Sequence, residues 1–410
     1  MRSFSVSRTD VGRKRQANED TVFADDDLGL YIVCDGMGGH EGGAIASKMA
    51  CEAVAAAFRE DREFIVRART QPELADGVRH LAQEAIRAAS AKVYAAEEPD
   101  KIRRMGTTLT LLQVLGSRAL IAHVGDSRAY LVRQENLHLM TADHTGAAEL
   151  MRGMKWSETQ AMKSPFSSVL TRAVGTESSV EVDTLIFDIF SEDRLLLCSD
   201  GLTHHVHDRD ELRGLLDQPF DSTATLLIDR ANEAGGRDNI SAIVVRIEGE
   251  DDEPGPHRVN QHESELSALA QAFGFEAIRL RPLQRLLNLA RRRALDPGEV
   301  VAERGEAFDR LILVVSGELE LVREESRLSS VGPGQSVGRR LLFEPGAIQA
   351  SLRAVEPSTV LEIESEGFWG VMRWHPVLSL KVLSRAAWLG HQRVQRLVHE
   401  GLPPEPEDLF

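Results

Sequence analysis

Cysteine is scarce in this 410-residue chain. The three present, Cys34, Cys51 and Cys198, are too few and too scattered for a disulfide framework or a zinc cluster. Cys34 and Cys198 each lie in an apolar, strand-like run and read as buried thiols. Long hydrophobic runs are missing too: none approaches the ~20 apolar residues of a membrane span. The opening "MRSFSVSRTD" lacks the apolar segment of a signal peptide. Basic charge is in deficit, 48 Lys and Arg against 64 Asp and Glu, for a formal net charge of −16. A nucleic-acid partner would need a net basic face, and an anionic membrane would repel this chain. These absences point to a cytoplasmic protein with no nucleic acid and no membrane among its partners.

What is present is an ordinary globular composition, 42% hydrophobic and 27% charged. The length exceeds what one hydrophobic core usually organises, so two domains are expected. The clearest break is "EGEDDEPGPHRVNQHE", Glu248 to Glu263, where acidic residues and prolines replace apolar periodicity. The expected division is a first domain over 1–248, an acidic Pro/Gly linker over 249–262 and a second domain over 263–402.

In the first domain, "GGAIASKMACEAVAAAFRE" and "PELADGVRHLAQEAIRAASAKVYAAEE" repeat apolar residues at helical intervals. "TTLTLLQVLGSRALIAHVGDSRAYLVR" reads as consecutive antiparallel strands broken by short turns. "DRLLLCSDG" and "DNISAIVVRI" add buried strands. Two long helices and many strands suggest sheets sandwiched with helices outside. The second domain opens on the helical stretches "ELSALAQAFGF" and "PLQRLLNLARRR". Short strands with glycine turns follow, and helices close it from Gly367. That reads as a small β-roll between helices.

Acidic residues recur at the ends of the apolar strands: Glu19 and Asp20, Asp35, Asp126 in "VGDSR", Asp200 in "LCSDGL" and Asp238 in "GGRDNIS". One strand-end aspartate is ordinarily a turn former. The recurrence instead suggests clustered oxygen ligands for a hard divalent cation, Mg²⁺ or Mn²⁺ rather than zinc. Within "LYIVCDGMGGHEGG", Asp35 runs into a glycine-rich stretch that would bring backbone atoms close beside such an ion.

The ordered motifs "RQANED", "DGMGGHEGG", "GTTL", "VGDSRAYL", "ADHT", "LTRAVG", "LCSDGL" and "GGRDNIS" resemble those of the metal-dependent (type 2C) protein serine/threonine phosphatases in their bacterial form, over roughly Ser3 to Ile247. The resemblance implies an α+β fold: a four-layer α-β-β-α sandwich of two antiparallel sheets. It also implies hydrolysis of phosphoserine and phosphothreonine in phosphorylated proteins, substrates of serine/threonine kinases, by water activated between two Mn²⁺ or Mg²⁺ ions. Position by position, Asp35 matches the carboxylate bridging both ions, and Gly36 the residue lending its carbonyl. Asp200 and Asp238 match ligands of the other ion. Glu19 and Asp20 match carboxylates holding metal-bound waters. Asp126, with Asp200, matches a third, weaker site, and Arg15 the arginine that grips phosphate. Met37 stands where some members carry a histidine, so the proton donor is unassigned.

Other histidines read more plainly. His123 is expected to be a partly buried hydrogen-bonding residue, and "HHVH" at His204–His207 an exposed helix start rather than a zinc site. Beyond the linker, "LDPGEVVAERGEAFDRLILVVSGELELV" and "LSSVGPGQSVG" resemble the cyclic nucleotide-binding domain, implying a smaller β-roll flanked by helices. Its phosphate-binding cassette carries a glutamate after its glycine and an arginine further on. Here Arg339 follows Gly338, and Ile348 or Gln349 stands where the arginine belongs, so cyclic nucleotide is doubtful as a ligand. The arginine-rich stretch from Arg279 to Arg293 reads as a solvated helical face or a docking face.

Overall fold

Strands buried along almost their whole length build the first part of the chain. In the computed structural model the described residues are 1–38, 41–96, 105–154, 160, 164–166, 169–249, 256–272, 280–324, 326–338, 346–374, 379–380 and 383–384. The chain divides into two compact units, Met1–Asp252 and Glu253–Phe410.

The first unit runs β1 (Arg2–Asp10), β2 (Asp20–Asp25), β3 (Leu30–Met37), α1 (Gly42–Glu60), α2 (Arg62–Ala68), α3 (Ala75–Ala95), β4 (Gly106–Thr107), β5 (Leu109–Leu115), β6 (Arg118–Val124), β7 (Arg128–Arg133), β8 (Asn136–Leu139), α4 (Gly146–Met154), β9 (Asp183–Asp188), β10 (Arg194–Cys198), α5 (Asp200–Thr203), α6 (Arg209–Leu216), α7 (Phe220–Glu233) and β11 (Ile240–Glu248). One antiparallel sheet has the order β2-β3-β5-β6-β9, with β4 beside β3; the other is β1-β11-β10-β7-β8. Leu30, Ile32 and Cys34 of β3 share a cluster with Ala46, Ala50, Val54 and Phe58 of α1 and Val78, Ala82 and Ala89 of α3. Small residues at helical spacing let those helices lie close on the sheet. Leu196 and Cys198 of β10 pack with Leu212 of α6 and Leu227, Ile228 and Ala231 of α7. The intervening Tyr31, Val33, Leu195 and Leu197 are fully buried on the opposite strand faces, as a period of two requires when both faces are covered. The result is the four-layer sandwich. The three cysteines are buried and free.

Two local expectations are corrected. The segment from Thr107 to Arg133 is not one run of neighbouring strands, because β6 pairs β5 and β9 while β7 pairs β10 and β8. The chain changes sheets at Gly125, whose φ of +108° and close approach to Thr108 exclude a side chain. Asp35 is not a strand end either: β3 continues through Gly36 and Met37, which pair with Thr107 and Gly106.

The second unit contains α8 (Pro256–Ala272), α9 (Leu280–Leu287), β12 (Arg291–Leu295), β13 (Val300–Ala302), β14 (Ala307–Phe308), β15 (Arg310–Ser316), β16 (Leu319–Arg323), β17 (Ser326–Val331), β18 (Ser336–Val337), β19 (Gly346–Ala347), β20 (Ser351–Ala354), β21 (Ser358–Glu364) and α10 (Ser365–Trp374). Antiparallel sheets β12-β21-β15-β18 and β13-β20-β16-β17 enclose an apolar core that includes Ile312, Leu321, Ile348, Leu352 and Val360. Leu269, Leu286, Phe368 and Met372 bring the helices onto the outer face of the first of these sheets. This is a β-roll flanked by helices.

The linker expected over 249–262 is cut short, because α8 begins at Pro256. Proline fits the first helical position, and from His262 onward the helix buries Leu266, Leu269 and Ala272. The helical reading of "ARRR" is also corrected: Arg291 and Arg293 belong to β12, paired with Glu362 and Val360 of β21. Arg279 and Arg339 lie outside the described residues.

Candidate active site

The register of one strand pair starts the site. Asp20 at the beginning of β2 lies directly across from Asp35 in β3. Glu19 is held just before them: its N–H donates to Asn239 Oδ1 at 2.8 Å, and its carbonyl accepts the Gly36 N–H at 3.2 Å and the Ser47 hydroxyl at 2.6 Å. Gly36 is required by proximity rather than by a turn. A Cβ there would stand 2.2 Å from the Gly43 carbonyl oxygen and 2.6 Å from that of Glu19, and a Cβ at Gly43 would stand 2.9 Å from the Glu19 carboxylate. The Asp35 backbone is clamped by Thr107 and Thr108. The Thr108 hydroxyl accepts the Asp35 N–H, and the Thr107 hydroxyl and Thr108 N–H both donate to the Asp35 carbonyl, each at 2.9 Å.

The other sheet delivers the remaining carboxylates. Asp200 opens α5 directly after β10, Asp238 precedes β11, and Asp126 sits in the β6–β7 crossing. Ser199 and Ser241 donate to Asp20 Oδ2 at 2.8 and 2.7 Å, joining the two sheets. Asp20 Oδ1 is buried and has no hydrogen-bond partner in the structure.

Electrostatics show how tightly these groups are gathered. Burial drives the Asp35 carboxyl well above its usual range, and Asp20, Asp200, Asp126 and Asp238 push in the same direction. Asp20 is raised to about 7, chiefly by burial against the help of its two serines. Asp126 is also raised to about 7, by burial and then by Asp200. Asp200 is raised by burial, offset partly by His204 and by a hydrogen bond with Asp35. Among the described residues, no three or more His, Cys, Asp or Glu side chains are drawn together closely enough to hold a metal ion. Like charges at this density are disfavoured as bare carboxylates. The unsatisfied Asp20 oxygen, the like-charged carboxylates and the glycine-lined backbone at Gly36 offer only oxygen donors, the chemistry that hard divalent cations take.

Arg15 lies at the edge of this group. Its Nη2 donates to Asp238 Oδ2 at 2.8 Å, and this bond raises the guanidinium pKa. Half of the Arg15 side chain remains exposed, so its outer nitrogens can meet an incoming anion.

Sequence reasoning missed Asn239, Ser199, Ser241 and Thr108. Asn239 is the most consequential, because its amide nitrogen donates to the carbonyls of Val11 and Ala17 at 3.0 and 2.9 Å while Oδ1 holds Glu19. It fixes the loop that carries Arg15. The polar run "RDNIS" was the available signal, but hydrogen-bond partners more than 200 residues away were not. His123 is fully buried with Nδ1 2.9 Å from the Thr110 hydroxyl. His204 and His207 are exposed just after α5 ends.

The "Protein phosphatase 2C" family model matches residues 11–243, and the "Cyclic nucleotide-binding domain" model matches 292–375. The serine/threonine phosphatase stp of Listeria monocytogenes is 38% identical over 243 residues, covering 58% of this chain and 93% of that protein. A Streptococcus agalactiae serine/threonine phosphatase structure aligns with a TM-score of 0.55 at 31% identity, over 60% of this chain and all of that one. The catalytic domain of the phosphatase PstP, solved in complex with two manganese ions, aligns with a TM-score of 0.51 at 29% identity, over 60% of this chain and 99% of that one.

Proposed function

This chain belongs to the protein phosphatase 2C family, a metal-dependent serine/threonine phosphatase, and from that premise we propose which of its residues carry the reaction. Asp35, the Gly36 carbonyl, Asp200 and Asp238 would hold two Mn²⁺ or Mg²⁺ ions. Asp126, with Asp200, serves a third, weaker position. Glu19 and Asp20 would hold waters beside the ions. When bound, the ions supply Lewis acidity that activates water and offsets charge on the phosphoryl oxygens.

The chain's own groups do the rest. Arg15 presents a planar fork to the substrate phosphate, a geometry suited to bidentate pairing. Its bond to Asp238 aims the fork, and Asn239 holds the loop beneath it. The Thr107–Thr108 clamp fixes the Asp35 backbone, so the bridging carboxylate is oriented before substrate arrives. No side-chain nucleophile is needed. The substrates are proteins phosphorylated by serine/threonine kinases, and the setting is the cytoplasm. Among the described residues, no helix is long and apolar enough to cross a membrane.

The convergence of Asp35, Asp20, Asp200, Asp126 and Asp238 beside Arg15 carries this reading. Purified protein should release phosphate from a phosphothreonine peptide with Mn²⁺ and stop on addition of EDTA. A dinucleotide should be untouched. Peptide binding without phosphate release would reduce the chain to a phosphoprotein-binding module.

For the second unit we infer docking or regulation without cyclic nucleotide. Ile348 is 1% exposed within the apolar core of the roll, and Gln349 bonds to the nearby Ala347 carbonyl at 3.3 Å. Neither offers the buried positive partner that a desolvated cyclic phosphate requires. Calorimetry should show no micromolar binding of cyclic AMP or cyclic GMP; a micromolar Kd for either would reinstate a ligand switch.

A further inference from the structure

On this strongly acidic protein, the loop bearing Arg15 and the loop bearing Asp238 form a basic rim. Arg13 and Lys14 are exposed on the first and Arg237 on the second. The loops are bound together: the Arg13 N–H donates to the Gly236 carbonyl at 2.6 Å, and the Asn239 amide donates to Val11 and Ala17. The Arg13 stem lies against Gly236, where a Cβ would be 2.7 Å from Arg13 Cγ. The Arg237 N–H donates to His205 Nε2 at 3.0 Å, fixing the backbone of the second loop.

Two carboxylates on or beside these loops already have partners. Asp238 holds Arg15, while Asp10 Oδ1 accepts from the Gly12 N–H at 2.9 Å and the Asn232 amide at 3.1 Å. Among the described residues, Arg13, Lys14 and Arg237 form no salt bridge. At physiological ionic strength charges beyond about 8 Å are largely screened. Once cations offset the neighbouring carboxylates, a peptide entering here responds to this local rim more than to the total of −16.

We propose that Arg13, Lys14 and Arg237 form a substrate-selecting rim that favours phosphorylated segments whose flanking residues are Asp or Glu. The proposal rests on the phosphatase reading of the neighbouring site and adds the class of sequence it accepts. The rim leaves the reacting phosphate to Arg15 and reads the peptide on either side of it. Exposed charges of this kind act through encounter and salt-dependent affinity.

The test uses full-length protein with Mn²⁺ and peptides carrying a non-hydrolysable phosphonate analogue of phosphoserine, with acidic, neutral or basic flanks. Fluorescence anisotropy should rank acidic above neutral above basic, with about five- to tenfold between the first two. That gap should collapse in 0.5 M salt and in the double variant Arg13→Glu, Arg237→Glu. The same variant should hydrolyse p-nitrophenyl phosphate like the unaltered protein. Equal affinity for acidic and neutral flanks, or a preference that survives the double variant, overturns the rim. Loss of p-nitrophenyl phosphate turnover in the unaltered protein would count against the phosphatase reading, and the anisotropy ranking would still decide the rim.

Discussion

Arg15 and Asp238 stand 223 residues apart in sequence and are joined by a 2.8 Å hydrogen bond. In the proposed assignment, the bond ties the arginine for substrate phosphate to a carboxylate of the cation site, which would aim it from within.

Replacing Arg15 by alanine should remove that aimed fork. We expect kcat/KM on phosphopeptides to fall about 10²-fold, the scale of one lost transition-state donor, with Mn²⁺ affinity little changed. Arg15→Lys should recover only part of the loss, because an ammonium is a point charge without the paired donors. Steady-state kinetics against Mn²⁺ titration separates the two effects. Full activity in Arg15→Ala would remove it from the phosphate site.

Asp35→Asn, Asp200→Asn and Asp238→Asn each exchange a charged oxygen for a neutral amide at the cation site. Each should abolish detectable turnover at saturating Mn²⁺ while circular dichroism stays unchanged. Asp126→Ala should be milder, sparing the tightest Mn²⁺ isotherm. Substantial turnover in Asp35→Asn would sink the two-ion assignment.

In metal-free protein, the carboxyls of Asp20 and Asp126 are raised to about 7, from an unfolded value near ~4. Between those values the folded state holds more protons than the unfolded state, so stability falls as pH rises. EDTA-treated protein should thus melt at a higher temperature at pH 5 than at pH 8. Mn²⁺, which competes with those protons, should stabilise more at pH 8 and release protons on binding. A metal-free melting temperature that climbs steadily from pH 5 to pH 8 would contradict the crowded carboxylate site.

Away from the site, Arg133 and Asp193 form a buried two-pronged pair, Nε to Oδ1 at 3.0 Å and Nη2 to Oδ2 at 2.7 Å. The guanidinium also lies 4.4 Å from the centre of the Phe190 ring. Asp193→Asn leaves that charge buried without its counter-ion and should cost about 3–5 kcal/mol, read as a lower urea midpoint with an unchanged slope. A change below the scatter of replicate melts would show the pair to be dispensable.

The sequence by itself determined which chemistry the chain carries. Apolar runs and helical spacing are local properties, so the sandwich and the roll were legible from short stretches, while the roles proposed for Arg15 to Asp238 came from the resemblance of whole motifs to a family. The tertiary structure decided how those stretches meet. That Gly36 exists for a close approach to Gly43, and not for a turn, depends on a chain segment folding back from α1. That β7 leaves its hairpin neighbour for the other sheet depends on packing across the sandwich. Asn239, Ser199 and Ser241 look like ordinary polar residues until the sheets close and set their hydrogen bonds to Glu19 and Asp20. Composition near residue 256 reads as solvated chain, yet α8 forms there because its later turns bury Leu266 and Leu269. Local pattern fixes what each segment prefers, but burial and long-range hydrogen bonding choose among those preferences, and neither exists until the chain has closed on itself.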